Sequence, residues 1–195
     1  MEDNRKNNEF VHEIFTSFRI IVLTMIVCCG IYTLFVYAIG RALTPHSTEG
    51  SLVTDAQGRI VGSELIAQKF TRPEYIWPRP SAVDYDASAA GGSNLSPTNP
   101  KLRTRAEIIM SAMGTTVDNP IPADLVTASG SGLDPDITLD AAIYQADRVA
   151  KVRGISKDSV IRMIKRHSER TGGELIPEPL VNVLEVNVEL DKTIE

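Results

Sequence analysis

The chain has 195 residues, 20 Lys and Arg against 25 Asp and Glu, and a formal net charge of −5 at pH 7. That balance excludes a nucleic-acid binder built on a clustered basic surface, because the one basic group, Arg162, Lys165, Arg166 and Arg170, spaces out as a polar face of a single helix. Two adjacent cysteines, Cys28 and Cys29, and three scattered histidines, His12, His46 and His167, exclude a disulfide framework and a zinc cluster of the Cys/His kind.

Residues 1–19 form a short tail, and Ile20 to Ile39 then run for twenty residues without a charged side chain. A helix of that length is about 30 Å long, the thickness of a bilayer's hydrocarbon core. Arg19 and Arg41 bracket the run, and Tyr32 and Tyr37 lie where amphipathic rings suit a headgroup layer. A signal peptide is the competing reading, with Ala38-Ile39-Gly40 as its small-x-small cleavage word, but its apolar core would be shorter than this run. A helix buried on all faces of a soluble protein is the other. Arg5, Lys6 and Arg19 on the amino-terminal side, against Arg41 alone close to the other end, place the amino terminus in the cytoplasm. Residues 40–195 are then one extracytoplasmic domain without cysteine, held together by packing.

Beyond the span, Thr44 to Ser51 reads as a linker, with Pro45 and Gly50. Leu52-Val53 and Ile60-Val61 flank the turn-forming Asp55-Ala-Gln-Gly58, which predicts a hairpin. Ser63 is a candidate cap for a short helix carrying Leu65, Ile66 and Phe70 and ending at Pro73. From Arg72 to Pro100 the chain is rich in Pro, Gly, Ser and Asn. Tyr75, Trp77 and Tyr85 argue that this long loop is ordered, packed on the domain or on a partner. Lys101 to Met113 is helical in pattern, Thr138 is the N-cap of a helix reaching Arg153 and ending at Gly154, and Ser156 opens another that stops at Gly172-Gly173. The last apolar stretch alternates from Leu184 to Leu190, with Val186 and Val188 on one face, and predicts a strand. The fold class is α+β: one amino-terminal transmembrane helix followed by a single mixed α/β domain.

Three stretches carry a resemblance: Tyr75-Ile-Trp-Pro-Arg-Pro-Ser81, Gly91-Gly-Ser-Asn-Leu-Ser-Pro-Thr-Asn-Pro100, and Asp124-Leu-Val-Thr-Ala-Ser-Gly-Ser-Gly-Leu-Asp-Pro135. With Gly62-Ser63 ahead of Leu65 and Gln68, and the closing Pro179-Leu-Val-Asn-Val-Leu184, the pattern resembles the C subunit of the bacterial Kdp potassium-transporting P-type ATPase. The chain departs from the expected words at Pro78, where the family reads Gly, and at Asp136, where a His commonly stands.

The resemblance implies a non-catalytic, single-pass subunit of the bacterial inner membrane. Its expected partners are a potassium-channel-like subunit, an ATP-hydrolysing P-type subunit and a small single-span subunit. It also implies a catalytic chaperone that raises the ATP affinity of the hydrolysing subunit, with potassium as the ion the complex transports. No cofactor is expected on this chain itself: it has neither a Gly-x-x-x-x-Gly-Lys-Ser/Thr loop nor an Asp-Lys-Thr-Gly word.

Candidate contact residues follow, each with an ordinary structural alternative. Gly30, Thr33 and Tyr37 lie about a turn apart on the span and form either a helix-docking face or a lipid-facing one. Trp77 and Arg79 are of the types favoured at interface hot spots, or pack within the domain. Gly91, Gly92, Ser93 and Asn94, and likewise Ser129 and Ser131, present backbone N–H groups to an anion or form tight turns. The competing function is an anchored exported hydrolase using Ser131, His167 and Asp134 as a nucleophilic triad, although no Gly-x-Ser-x-Gly elbow surrounds Ser131. An exported sensor or adhesion module is a third class.

Overall fold

A computed structural model describes residues 2–170 and 178–192, with side chains from Phe10 onward. The chain divides into two compact units between Gly50 and Ser51. The first is one long helical rod: α1 (Glu2–Met25), a π-helical segment (Ile26–Ile31) and α2 (Tyr32–Leu43). Phe10–Leu43, 34 residues, is long and apolar enough to cross a membrane, and its large apolar side chains are exposed. A helix apolar all round without a surrounding core suits a lipid solvent. The expected linker is partly regular. Pro45, pre-set for a first helical position, starts the single turn α3 (Pro45–Thr48), and Arg41 pairs with Glu49 at 2.7 Å.

In the second unit the hairpin forms as expected, β1 (Leu52–Thr54) against β2 (Ile60–Ser63). Its turn is built on Asp55, whose Oδ1 accepts the N–H groups of Gln57 and Arg59 at 3.0 and 2.8 Å. The helix expected after Ser63 does not form. Ser63 is the last residue of β2, paired with Leu52, and its hydroxyl accepts the Leu65 N–H in a local turn instead.

The core lies where the helices of the carboxyl-terminal half pack on one another and on a small sheet. Helix α4 (Pro100–Met113) starts with the Asn99 side chain accepting the Lys101 N–H, and a 3-10 turn (Ala123–Leu125) buries Leu125. The three-stranded antiparallel sheet has the order β3-β5-β4, from β3 (Asp136–Thr138), β5 (Leu180–Asn182) and β4 (Ser168–Glu169). Ile137 pairs with Val181, and both face inward, 1% and 0% exposed. Thr138 caps as expected, accepting from the Ala141 N–H, but the predicted single helix breaks at Gln145 into α5 (Leu139–Tyr144) and α6 (Ala146–Arg153), which Gly154 closes in the left-handed conformation. Helix α7 (Lys157–Arg166) is capped by Ser156 and buries Val160, Met163 and Ile164.

Two further expectations are corrected here. Helix α7 ends at Arg166, because Ser168 and Glu169 pair with Val181 and Leu180 of β5. Arg170 therefore lies beyond the helix whose polar face it was expected to share, and Gly172-Gly173 fall outside the described residues. The alternating stretch is not a strand after Asn182: α8 (Val183–Lys192) is a helix that buries Val183, Leu184, Val186, Asn187 and Leu190 at steps of three and four. Its strand partner β3 is only three residues long, held between Pro135 and the Thr138 cap, so the sheet offers nothing for residues 183–190 to pair with. The Val183 N–H turns to the Pro135 carbonyl at 3.1 Å, and the chain enters a helix.

Candidate functional site

The long loop from Arg72 is ordered by two different devices. From Pro73 to Trp77 it is held by side chains. Asn187, 1% exposed on α8, accepts the Ile76 N–H at 2.8 Å and donates to the Ile76 carbonyl at 2.9 Å. Gln145, at the break between α5 and α6, does the same for Trp77, accepting at 2.9 Å and donating at 3.0 Å. Each amide thus reads one residue's backbone as a neighbouring strand would. Arg148 donates to the carbonyls of Pro73 (2.5 Å) and Tyr75 (3.0 Å), and its guanidinium lies 4.2 Å from the centre of the Trp77 ring. Burial pushes the Arg148 pKa down to about 10, so it stays charged at neutral pH. Arg153, whose side chain is 1% exposed, donates to the carbonyls of Glu74 and Leu190 and pairs with Asp191 at 2.8 Å. Asp191 also accepts from Tyr75, and burial, followed by that bond, raises the Tyr75 hydroxyl's pKa.

From Pro80 to Gly92 the loop is instead laced to residues 129–133, mainly by main-chain atoms. The Ser129 N–H donates to the Pro80 carbonyl at 3.1 Å and the Gly91 N–H to the Ser131 carbonyl at 2.7 Å. Ser81 donates its hydroxyl to the Gly132 carbonyl at 2.7 Å, and Tyr85 donates to the Arg79 carbonyl at 2.8 Å. Burial raises the Tyr85 hydroxyl's pKa to about 12, so it remains a donor. At Gly92 the need for glycine is closeness rather than a left-handed backbone: a Cβ there would lie 2.9 Å from the Gly130 carbonyl oxygen. Gly132 needs it on both counts, with φ +70° and a would-be Cβ 2.8 Å from the Gly91 oxygen.

Arg79 joins the two parts, pairing with Asp134 at 3.1 Å, while Asp134 also accepts the Asp136 N–H at 3.2 Å. The structure therefore brings Trp77, Arg79, Gly91, Gly92, Ser129 and Ser131 into one interlocked pair of loops. Ser93 is half-buried beside them, and Asn94 is exposed with φ +48°. Gly30, Thr33 and Tyr37 belong to the other unit: Gly30 lies in the π-helical segment, Thr33 and Tyr37 are exposed on α2, and the Tyr37 hydroxyl is 3.5 Å from Arg41.

The proposed triad is not assembled. The Ser131 hydroxyl accepts the Leu133 N–H at 3.1 Å, Asp134 pairs with Arg79, and the ring nitrogens of His167 face Glu185 at 3.1 Å and Glu189 at 2.6 Å. Among the described residues no group of three or more His, Cys, Asp and Glu is placed to hold a metal ion. A cavity of about 380 Å³ lies between the hairpin and α8, lined by Arg59, Gln68, Phe70, Tyr75, Val188 and Asp191 among others, none of them among the candidate contact residues.

Comparison with known proteins gives the family. The model described as "K+-transporting ATPase, c chain" matches residues 14–192. This chain belongs to the KdpC family. A Parvibaculum lavamentivorans relative named "Potassium-transporting ATPase KdpC subunit" is 47% identical over 176 residues, covering 90% of this chain and 94% of the relative. Relatives of the same name from Geobacter metallireducens, 43% identical over 93% of this chain and 98% of their own length, and Citrifermentans bemidjiense, 47% over 87% and 92%, agree. The protein is thus an accessory subunit of the potassium-transport complex, and its one long apolar helix fits a membrane-bound subunit.

In this KdpC chain the two departures have structural settings. Pro78 is buried between Trp77 and Arg79, where its fixed φ suits a pinned, extended segment. Asp136 is half-buried, and burial, then the nearby Asp134 carboxylate, raises its pKa. Within the Gly-rich words, the N–H groups of Gly91 and Ser129 point inward to the Ser131 and Pro80 carbonyls. Sequence reasoning missed Gln145, Arg148, Arg153 and Asn187. The available signal was a lone amide inside an apolar helical stripe, Asn187 between Val183 and Leu190 and Gln145 between Ala141 and Val149.

Proposed function

We propose that this KdpC chain is a non-catalytic brace of an ATP-driven potassium-import pump, anchored by the apolar helix with its amino terminus in the cytoplasm and residues 40–195 outside. Its partners in this reading are a potassium-channel-like subunit, the P-type subunit that hydrolyses ATP, and a small single-span subunit. The observation that carries the non-catalytic reading is that Ser131, Asp134 and His167 are each committed to a different partner. A loop pair fastened at intervals from Pro73 to Gly91 supports a docking role, because a rigid surface loses little entropy when it is covered. Higher ATP affinity of the hydrolysing subunit then arises as coupling through packed membrane helices, since a domain on the outer side does not reach cytoplasmic nucleotide.

Co-purification tests this reading. Extracted in mild detergent, the full chain should leave the membrane with the large multi-span subunits, and a chain lacking residues 1–40 should stay behind as a soluble fragment. The complex without this chain should need more ATP for half-maximal turnover. Normal assembly of the truncated fragment, or ATP hydrolysis by the isolated full chain above that of a Ser131→Ala variant, overturns it.

A further inference from the structure

The cavity of about 380 Å³ between the hairpin and α8 has an apolar floor: Phe70 and Tyr75, their ring centres 5.2 Å apart, meet Val61 of β2 and Leu184 and Val188 of α8. Most of its polar groups are already committed. Asp55 gives Oδ1 to the N–H groups of Gln57 and Arg59 and Oδ2 to Arg59 Nε. Asp191 pairs with Arg153 through Oδ1 and accepts from Tyr75 through Oδ2, and Asn187 holds Ile76 with both ends of its amide.

Two groups on the wall are not committed. Lys192, in the last turn of α8, and Gln68 have no hydrogen-bond or ion-pair partner among the described residues. Gln68 is nevertheless given a seat. At Gly62, opposite Val53 in the hairpin, a Cβ would lie 1.5 Å from Gln68 Nε2 and 2.6 Å from its Cδ. The hairpin omits a side chain to admit a half-buried carboxamide, which then bonds to no described residue. A polar group set in place and left without a partner calls for one from outside.

These groups define what fits. Asp55 is balanced by Arg59 and Asp191 by Arg153, so Lys192 is the surplus charge on the wall and selects an anion. Rings and aliphatic side chains around a space of this size take an apolar body. A carboxamide offers both a donor and an acceptor, and Asn187 and Gln145 already use that pair in this protein to hold a residue's backbone N–H and carbonyl. We propose that the cavity binds the carboxyl-terminal residue of a polypeptide, with its carboxylate on Lys192, its peptide unit on Gln68 and its apolar side chain on Phe70, Tyr75 and Val188. The site lies apart from the interlocked loops and goes beyond the bracing role.

The test titrates the full chain, in detergent at pH 7, with N-acetyl-phenylalanine and reads the heat against a detergent-only blank, so it does not depend on assembly of the pump. Saturable binding with a Kd on the order of 1 mM is expected from one ion pair and one covered ring. N-acetyl-phenylalaninamide, which lacks the carboxylate, should bind about tenfold more weakly, and phenylpropionate, which lacks the peptide unit, about fivefold more weakly. Lys192→Gln should abolish the preference for acid over amide. Gln68→Ala should abolish the preference for N-acetyl-phenylalanine over phenylpropionate, and Gly62→Ala, whose methyl takes the place of the Gln68 amide, should do the same. Unchanged Trp77 emission shows that each variant is folded. No saturable binding up to about 20 mM overturns the proposal, as does equal wild-type affinity for the acid and its amide or for N-acetyl-phenylalanine and phenylpropionate. Wild-type preferences that persist in Lys192→Gln and Gln68→Ala overturn it equally.

Discussion

The two halves of the long loop are equally irregular and equally ordered, but they are held by opposite means. Between Pro73 and Trp77 the backbone is gripped by side chains from α5–α6 and α8, with Asn187 and Gln145 as the fingers. Between Pro80 and Gly92 main chain bonds largely to main chain, and the glycines make the approach possible. The first arrangement makes the loop depend on residues far away in sequence, both for its backbone and for the setting of its buried Tyr75 and Ile76 side chains. The second makes it depend on the loop's own composition, which is why its sequence words are dense in glycine and serine.

Breaking the side-chain grip should have the largest effect. Asn187→Ala leaves both backbone groups of the buried Ile76 without partners, and we expect a loss of about 3 kcal/mol, read as a fall in Tm with an altered Trp77 emission in the folded state. Gly132→Ala attacks the other half: the left-handed φ and the close Gly91 oxygen predict a loss of about 2 kcal/mol. Folded-state Trp77 emission should be nearly unchanged in that variant, because the grip on Trp77 is intact. If the two variants changed that emission alike, the loop would be one unit rather than two.

The smallest effect concerns Asp136, where Arg79 and Asp134 join the halves. A carboxyl whose pKa is raised in the folded state adds stability that is present at low pH and lost as pH rises through that raised value. Asp136→Asn should therefore raise Tm at pH 7 by roughly 1–2 °C and weaken the pH dependence on the acid side, measured by the same thermal scans.

Much of the fold was legible because it follows local rules. The Asp55 turn, the Thr138 and Ser156 caps and the closing Gly154 are each decided by residues within one turn of the feature. What misled was decided at a distance. Leu184 to Leu190 alternate like a strand, yet they fold as a helix because β3 is too short to pair with them and the core takes Val183, Val186, Asn187 and Leu190 together. Ser63 has the chemistry of a cap, but its pairing with Leu52 had already placed it in a strand. The loop words located the candidate surface. The amides that hold it were invisible, because a polar residue in an apolar stripe reads as noise until the main chain it binds is known.

The π-helical segment from Ile26 to Ile31 gives the apolar rod a change of phase. Its wider turns, with bonds from i to i+5, amount to one extra residue absorbed without breaking the helix. A wheel drawn from the sequence at constant angle therefore misaligns Tyr32–Leu43 with the part before Ile26, and Gly30 to Tyr37 form a different stripe from the one such a wheel shows. Removing one residue inside the segment restores uniform pitch and leaves the two ends facing as they do now. Removing one at Val36 turns the rest of the rod by about 100°.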